Sequence, residues 1–99
     1  MYQTSTKPIE ILKEEIKKLK FNEEDVLTSK EDIAKRKADL NKASALGAHS
    51  KLNIKIYFVD ENGTNYKVIA TVWATTEKNV SLKKEIMIPL KSIYEVGFF

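Results

Sequence analysis

A chain of 99 residues has room for one domain and one modest core. Its 42% hydrophobic content excludes wholesale disorder despite 31% charged residues, and 17 basic against 14 acidic residues leave a net charge of only +3, short of the bulk cationic excess common in nucleic-acid-binding domains. The absence of cysteine excludes disulfides, thiolate metal sites and a cysteine nucleophile.

Met1–Lys7 lacks the apolar core of a signal peptide, and no later apolar run approaches the length of a membrane span, so a cytoplasmic location with no membrane contact is expected. The first predicted element starts at Pro8, whose fixed φ and missing N–H suit a helix N-terminus. Ile9, Leu12, Ile16 and Leu19 follow at helical spacing, with Glu10, Lys13, Glu14, Lys17 and Lys18 on the other sides. Asn22-Glu-Glu-Asp25 reads as a chain reversal. A second helix starts at a capping box, Thr28 with Glu31 or Ser29 with Asp32, and ends at Gly47 as its C′ residue. Its apolar stripe is thin: Ile33, Leu40, Ala43 and Ser44, widened by the stems of Arg36 and Lys37.

Past Ala48-His49-Ser50 the period switches from 3.6 to 2. Leu52, Ile54, Ile56 and Phe58 face one way, and Asn53, Lys55, Tyr57 and Val59 face the other. Asp60-Glu-Asn-Gly63 makes a hairpin turn, since Asn-Gly tolerates the positive φ that tight turns need. In the next strand Tyr66, Val68, Ala70, Val72 and Ala74 share the inner face, opposite Lys67, Ile69, Thr71, Trp73 and Thr75. Thr76-Glu-Lys-Asn79 turns the chain again, Val80 and Leu82 point inward, Lys84-Glu85 reverses it, and Pro89 marks an edge, bulge or bend.

The outer face carrying Tyr57, Val59, Ile69 and Trp73 is too apolar to be left in water. The expectation is that an N-terminal helix lays its Ile9/Leu12/Ile16/Leu19 seam there. The alternative is an open aromatic platform, Tyr57 and Trp73, that stacks bases or receives a peptide.

Helix, long first strand, bent second strand and the closing Ile86-Met-Ile-Pro-Leu-Lys-Ser-Ile-Tyr-Glu-Val96 resemble the Sm-like and SH3-like small barrels over residues 29 to 96. The Sm-like resemblance implies ring assembly through strand edges and RNA binding in loops. The loop signatures that family uses for RNA, Asp-x-x-x-Asn and a glycine-rich motif, are missing here. The whole chain also resembles short bacterial proteins in which a charged helix precedes Trp-Ala-Thr-Thr-Glu-Lys-Asn-Val-Ser-Leu-Lys and an Ile-Pro-Leu strand, a resemblance that implies no particular activity.

Catalytic chemistry finds no support. His49 is the one imidazole, no Gly-x-Ser-x-Gly elbow is present, and Gly47, Gly63 and Gly97 are too scattered to cradle phosphate. No cofactor, metal or small-molecule substrate is implied, and the protein is expected not to be an enzyme.

The expected architecture is a single α+β domain over residues 1 to 99: two helices within 8–46, then a five-stranded SH3-like or Sm-like barrel over 51–97. The expected function is that of a small adaptor acting by protein contact or self-association, supported by the apolar outer face, the seam helix and the terminal Gly97-Phe98-Phe99. The rival is nucleic-acid binding through the barrel face, with Tyr57, Ile69 and Trp73 flanked by Lys35, Arg36, Lys37, Lys83 and Lys84. Trp73 discriminates between them: covered by the chain's own helices it favours the adaptor, and exposed beside lysines it favours the rival.

Overall fold

The computed structural model describes residues 6–83 and 85–99. Its order is β1 (Ile9–Ile11), a 3₁₀ helix (Lys13–Lys18), α1 (Lys30–Ser50), β2 (Asn53–Val59), β3 (Asn65–Thr71), β4 (Ala74–Thr75), β5 (Asn79–Lys83), β6 (Ile86–Pro89), a second 3₁₀ helix (Leu90–Ser92) and β7 (Ile93–Gly97). The strands form two sheets, β1-β3-β2-β7 and β4-β5-β6, and neither closes into a barrel. This corrects the expected pair of helices followed by a five-stranded barrel: one long helix is present, and the N-terminal segment supplies a strand.

That strand is the first departure. Helical spacing over residues 9–19 competes with the free edge of β3, and the edge wins locally. Ile9, Glu10 and Ile11 pair in parallel with Tyr66, Lys67 and Val68. The chain then turns through the 3₁₀ helix, held by Glu15 N–H to Leu12 O (2.9 Å) and by Leu12 N–H to the Glu15 carboxylate (2.9 Å). Ile16 alone of the predicted seam is fully buried, joining the common core, while Ile9 and Leu12 are exposed. The seam therefore does not lie across the outer sheet face.

The hairpin readings hold. β2 and β3 pair antiparallel from Asn53↔Thr71 to Val59↔Asn65. The buried Asp60 carboxylate accepts from the N–H groups of Asn62 and Thr64, both at 2.9 Å, and Gly63 takes φ +78°. Trp73 N–H donates to Ser81 O (2.8 Å), so the chain passes from the first sheet to the second at Val72–Trp73. It returns through Pro89 and the second 3₁₀ helix. Val59, assigned outward by alternation, is buried, next to the irregularity in β2–β7 pairing between Tyr57 and Phe58.

Ile54, Ile56, Phe58, Val68, Ala70, Ile93 and Val96 of the first sheet and Val80, Leu82, Ile86 and Ile88 of the second belong to one core. Helical segments fill the gaps where strand pairing stops. α1 packs against β7 of one sheet and β4 of the other, and the first 3₁₀ helix packs against β6 and β3. Residues that would be barrel seams are thus closed by side chains such as Leu40, Ala43 and Ile16 rather than by backbone ladders.

Ser29 is the N-cap of α1, accepting from Asp32 N–H at 3.4 Å, which selects the Ser29/Asp32 register. The helix does not stop at Gly47; it runs to Ser50 and is closed by Lys51 in the left-handed region at φ +52°. Gly47 is there for proximity. With Arg36, Leu40 and Ala43 it forms the buried stripe, and a Cβ at position 47 would lie 2.0 Å from the Val72 carbonyl oxygen.

Gly47→Ala tests that contact by sign. In an exposed helix interior alanine is favoured over glycine by about 1 kcal/mol. Here overpacking is expected to destabilise the fold by about 1–3 kcal/mol in urea titration, whereas Ala45→Gly on the exposed side should cost only about 1 kcal/mol.

Candidate functional site

Alternation along β2 and β3 fixes which side chains share the outer face of the four-stranded sheet. Asn53 stands opposite Thr71, Lys55 opposite Ile69, and Tyr57 opposite Lys67. On the flanks Glu10 of β1 is abreast of Lys67, and Glu95 and Gly97 of β7 are abreast of Tyr57 and Lys55. Continuing the β1 register past Ile11 brings Leu12 alongside Ile69. The pairing geometry is confirmed by a Lys67–Glu10 ion pair (3.5 Å) and by Thr71 Oγ1, 3.0 Å from Asn53 Oδ1 and 3.3 Å from Lys51 O.

Among the described residues no element covers this face. Leu12 is 69% exposed, Ile69 36%, Trp73 59% and Phe99 79%. α1 is occupied at the seam between the sheets, so Trp73 is left in solvent at the rim where β3 ends. There it shares a shallow hollow of ≈ 450 Å³ with Lys13, Lys51 and Thr71, floored by Gly47 and Ala48. The Lys55 ammonium lies 4.7 Å from the centre of the Phe99 ring. Phe98, by contrast, packs against the core with Lys42 over its ring at 4.7 Å.

Charge is unevenly divided along the face. The two acids, Glu10 and Glu95, stand level with Lys67 and Tyr57, at one end. Toward Trp73 come Lys13, Lys51 and Lys55 among Leu12, Asn53, Ile69, Thr71 and Phe99, with no acid in that group. An exposed π-surface and two lysines, Lys13 and Lys51, therefore coincide at Trp73, with no acid lining their hollow.

The sequence-derived site is divided by the fold. Tyr57 and Ile69 do share the outer face, with Tyr57 against Tyr94 at 6.0 Å between ring centres, whereas Trp73 lies past the end of β3, where its N–H joins Ser81 of the second sheet. Lys35 and Lys37 lie exposed on α1, and Lys35 is engaged with Asp39 at 2.6 Å. Lys84 and the side chain of Lys83 lie outside the described residues. Lys13 and Lys51 were missed because the first 3₁₀ helix and the C-cap of α1, far apart in the chain, bring them to Trp73; only Lys55 carried a signal, its parity with Asn53 and Tyr57 along β2.

Arg36 is not a surface residue at all. It is 6% exposed, and its two terminal nitrogens grip both oxygens of Asp25 at 2.7 Å, while one also donates to Ile93 O at 3.0 Å. Its Nε is buried without a partner. This cross-brace ties the 20–29 segment to α1 and β7, so the one arginine is unavailable to a phosphate or a base. Burial alone would raise the Asp25 pKa, but the Arg36 hydrogen bonds, the Leu27 N–H and the Arg36 and Lys91 charges outweigh it, and the carboxyl is held below its usual value.

A cleft of ≈ 480 Å³ lies beside this pair, between Lys37 and Asn41 of α1 and Thr75–Glu77. Its mixed charges, Lys37 and Lys91 against Glu77, select no ligand class. Among the described residues no cluster of His, Asp and Glu fit to hold a metal ion is found, and no helix is long and apolar enough to cross a membrane. No family model, curated protein or solved structure matches the chain.

Asp25→Asn is expected to destabilise the protein by about 3 kcal/mol at neutral pH, because it leaves the Arg36 charge buried without its counter-ion. Since the folded pKa of Asp25 is depressed, its contribution is complete above the unfolded carboxylate value near 4 and is lost as pH falls through the folded value. Wild-type and variant stabilities, compared by denaturant titration from neutral to acid pH, should therefore converge only at the acid end.

Proposed function

We propose that the protein binds single-stranded nucleic acid at the rim where β3 gives way to the second sheet, with Trp73 as a base-stacking platform and Lys13, Lys51 and Lys55 as phosphate contacts. The observation that carries this reading is Trp73 itself: 59% exposed and set beside Lys13 and Lys51 in a shallow hollow. A flat π-surface next to unopposed ammonium groups matches a ligand that alternates planar bases with anionic phosphates. The bases must be unpaired to reach it, which selects single strands over duplex.

This changes the balance expected from composition. A small net charge argued against nucleic acid in bulk, but the positive groups are concentrated where the exposed ring is. Lysine suffices for the role, because phosphate neutralisation without sequence readout needs point charges rather than the bidentate fork of arginine. The adaptor reading survives as a second use of the same face, favoured by the side-by-side exposure of Leu12 and Ile69, which stacking on Trp73 leaves uncovered.

Titration of mixed-sequence oligonucleotides against Trp73 emission tests the proposal. Binding should quench the fluorescence, and the logarithm of affinity should fall linearly with the logarithm of salt. Replacing Lys13, Lys51 and Lys55 together by alanine should flatten that slope by about 2, at ~0.7 per phosphate contact. Trp73→Ala, followed by a labelled strand, should weaken binding by about 1–3 kcal/mol. Absence of binding at low salt would remove the proposal; concentration-dependent self-association abolished by Ile69→Ser would then establish the contact reading.

A further inference from the structure

We infer, resting on the contact reading of that surface rather than on strand binding, that the outer face of the four-stranded sheet receives a second copy of this chain, packed face to face about a two-fold axis running across the strands. Two successive rows of side chains set this arrangement. The first, read from β1 to β7, is Glu10, Lys67, Tyr57 and Glu95. The second is Ile69, Lys55 and Gly97. Leu12 joins its β1 side: the backbone stays extended directly after the strand, so Leu12 stands on the same side as Glu10.

Charge and apolar surface are divided between the rows. Both acids are in the first, where Lys67 engages Glu10 at 3.5 Å and the exposed Glu95 has no ion-pair partner among the described residues. The second has Lys55, whose ammonium lies over the Phe99 ring and makes no ion pair among those residues, beside the exposed Leu12 and Ile69. An unmatched acid in one row and an unmatched lysine in the next make the face complementary to itself when two copies run in opposite directions. A two-fold axis across the strands, between the rows, lays the first row of each copy over the second row of the other. Glu95 then comes over Gly97 of the second copy, where the Lys55 stem lies 3.5 Å from the place a Cβ would occupy. Leu12 and Ile69 of both copies flank the axis, the rows being about 7 Å apart along the strands. An axis along the strands would instead set Glu10 of each copy against Glu95 of the other. The sheet is three strand separations wide, about 14 Å, small beside a standard interface, so the dimer is weak and reversible.

Sedimentation velocity at low salt over a protein concentration series tests this. The wild type should pass from monomer to dimer at concentrations up to about 1 mM. Glu95→Lys and Lys55→Glu should each weaken the dimer at least about tenfold, because the symmetry places like charges together twice. The double variant should return to within about threefold of wild type, a recovery that a fold damaged by either change would not show. Ile69→Ser should abolish association, and Trp73→Ala should leave it unchanged while weakening oligonucleotide binding. A wild type still monomeric at about 1 mM, or a double variant as weak as its parents, overturns the inference. Oligonucleotide quenching of Trp73 retained in that case leaves the proposed function standing, and quenching absent from a protein that dimerises removes the proposed function alone.

Discussion

The structure depends on the close approach of α1 to the bend at Val72. Two sheets share one core, and where their edges fail to pair, something apolar has to fill the opening. α1 does this along Arg36, Leu40, Ala43 and Gly47. The contact with the Val72 carbonyl is possible because position 47 has no side chain. Helix propensity is sacrificed at one residue so that the helix can sit against the backbone where the chain changes sheets.

The Asp25–Arg36 pair holds the same element from the other end. A guanidinium taken out of water would be costly alone, and Asp25 and Ile93 O give its terminal nitrogens partners of short, near-ideal length. The pair binds the segment before α1, α1 itself and β7 into one unit. Its value lies as much in position as in energy, since it fixes the angle at which the helix crosses the gap.

Placing the helix at the seam decides what is left bare. Had the Ile9/Leu12/Ile16/Leu19 stripe formed a helix, it would have been free to cover Ile69 and Trp73. As β1 and a 3₁₀ helix, the same residues extend the sheet and plug the second opening with Ile16, and Leu12 joins the exposed face instead of hiding it. Trp73 and Phe99 remain in solvent, the first beside Lys13 and Lys51 and the second under the Lys55 ammonium. An exposed aromatic surface of this kind is the expected mark of a binding face, and its local charge names the chemistry of the ligand better than the net charge of the chain.

The sequence by itself determined the local geometry: the alternation of Ile54, Ile56 and Phe58, the Asp60–Gly63 turn, the Ser29 cap and the α+β class all follow from short-range rules of period, φ preference and capping. It also determined that Ile69 and Trp73 oppose Val68 and Val72, because side-chain parity along a strand is fixed by the pleat. Only the tertiary structure decided the rest. Ile9–Ile11 became a strand because an edge of β3 was free, Gly47 became a contact rather than a stop because Val72 lies against it, and Arg36 became a core residue because Asp25 folds back over it. Lys13 and Lys51 came together at Trp73 through segments distant in the chain. Each of these outcomes turns on which distant partner is within reach, a quantity that no local pattern carries.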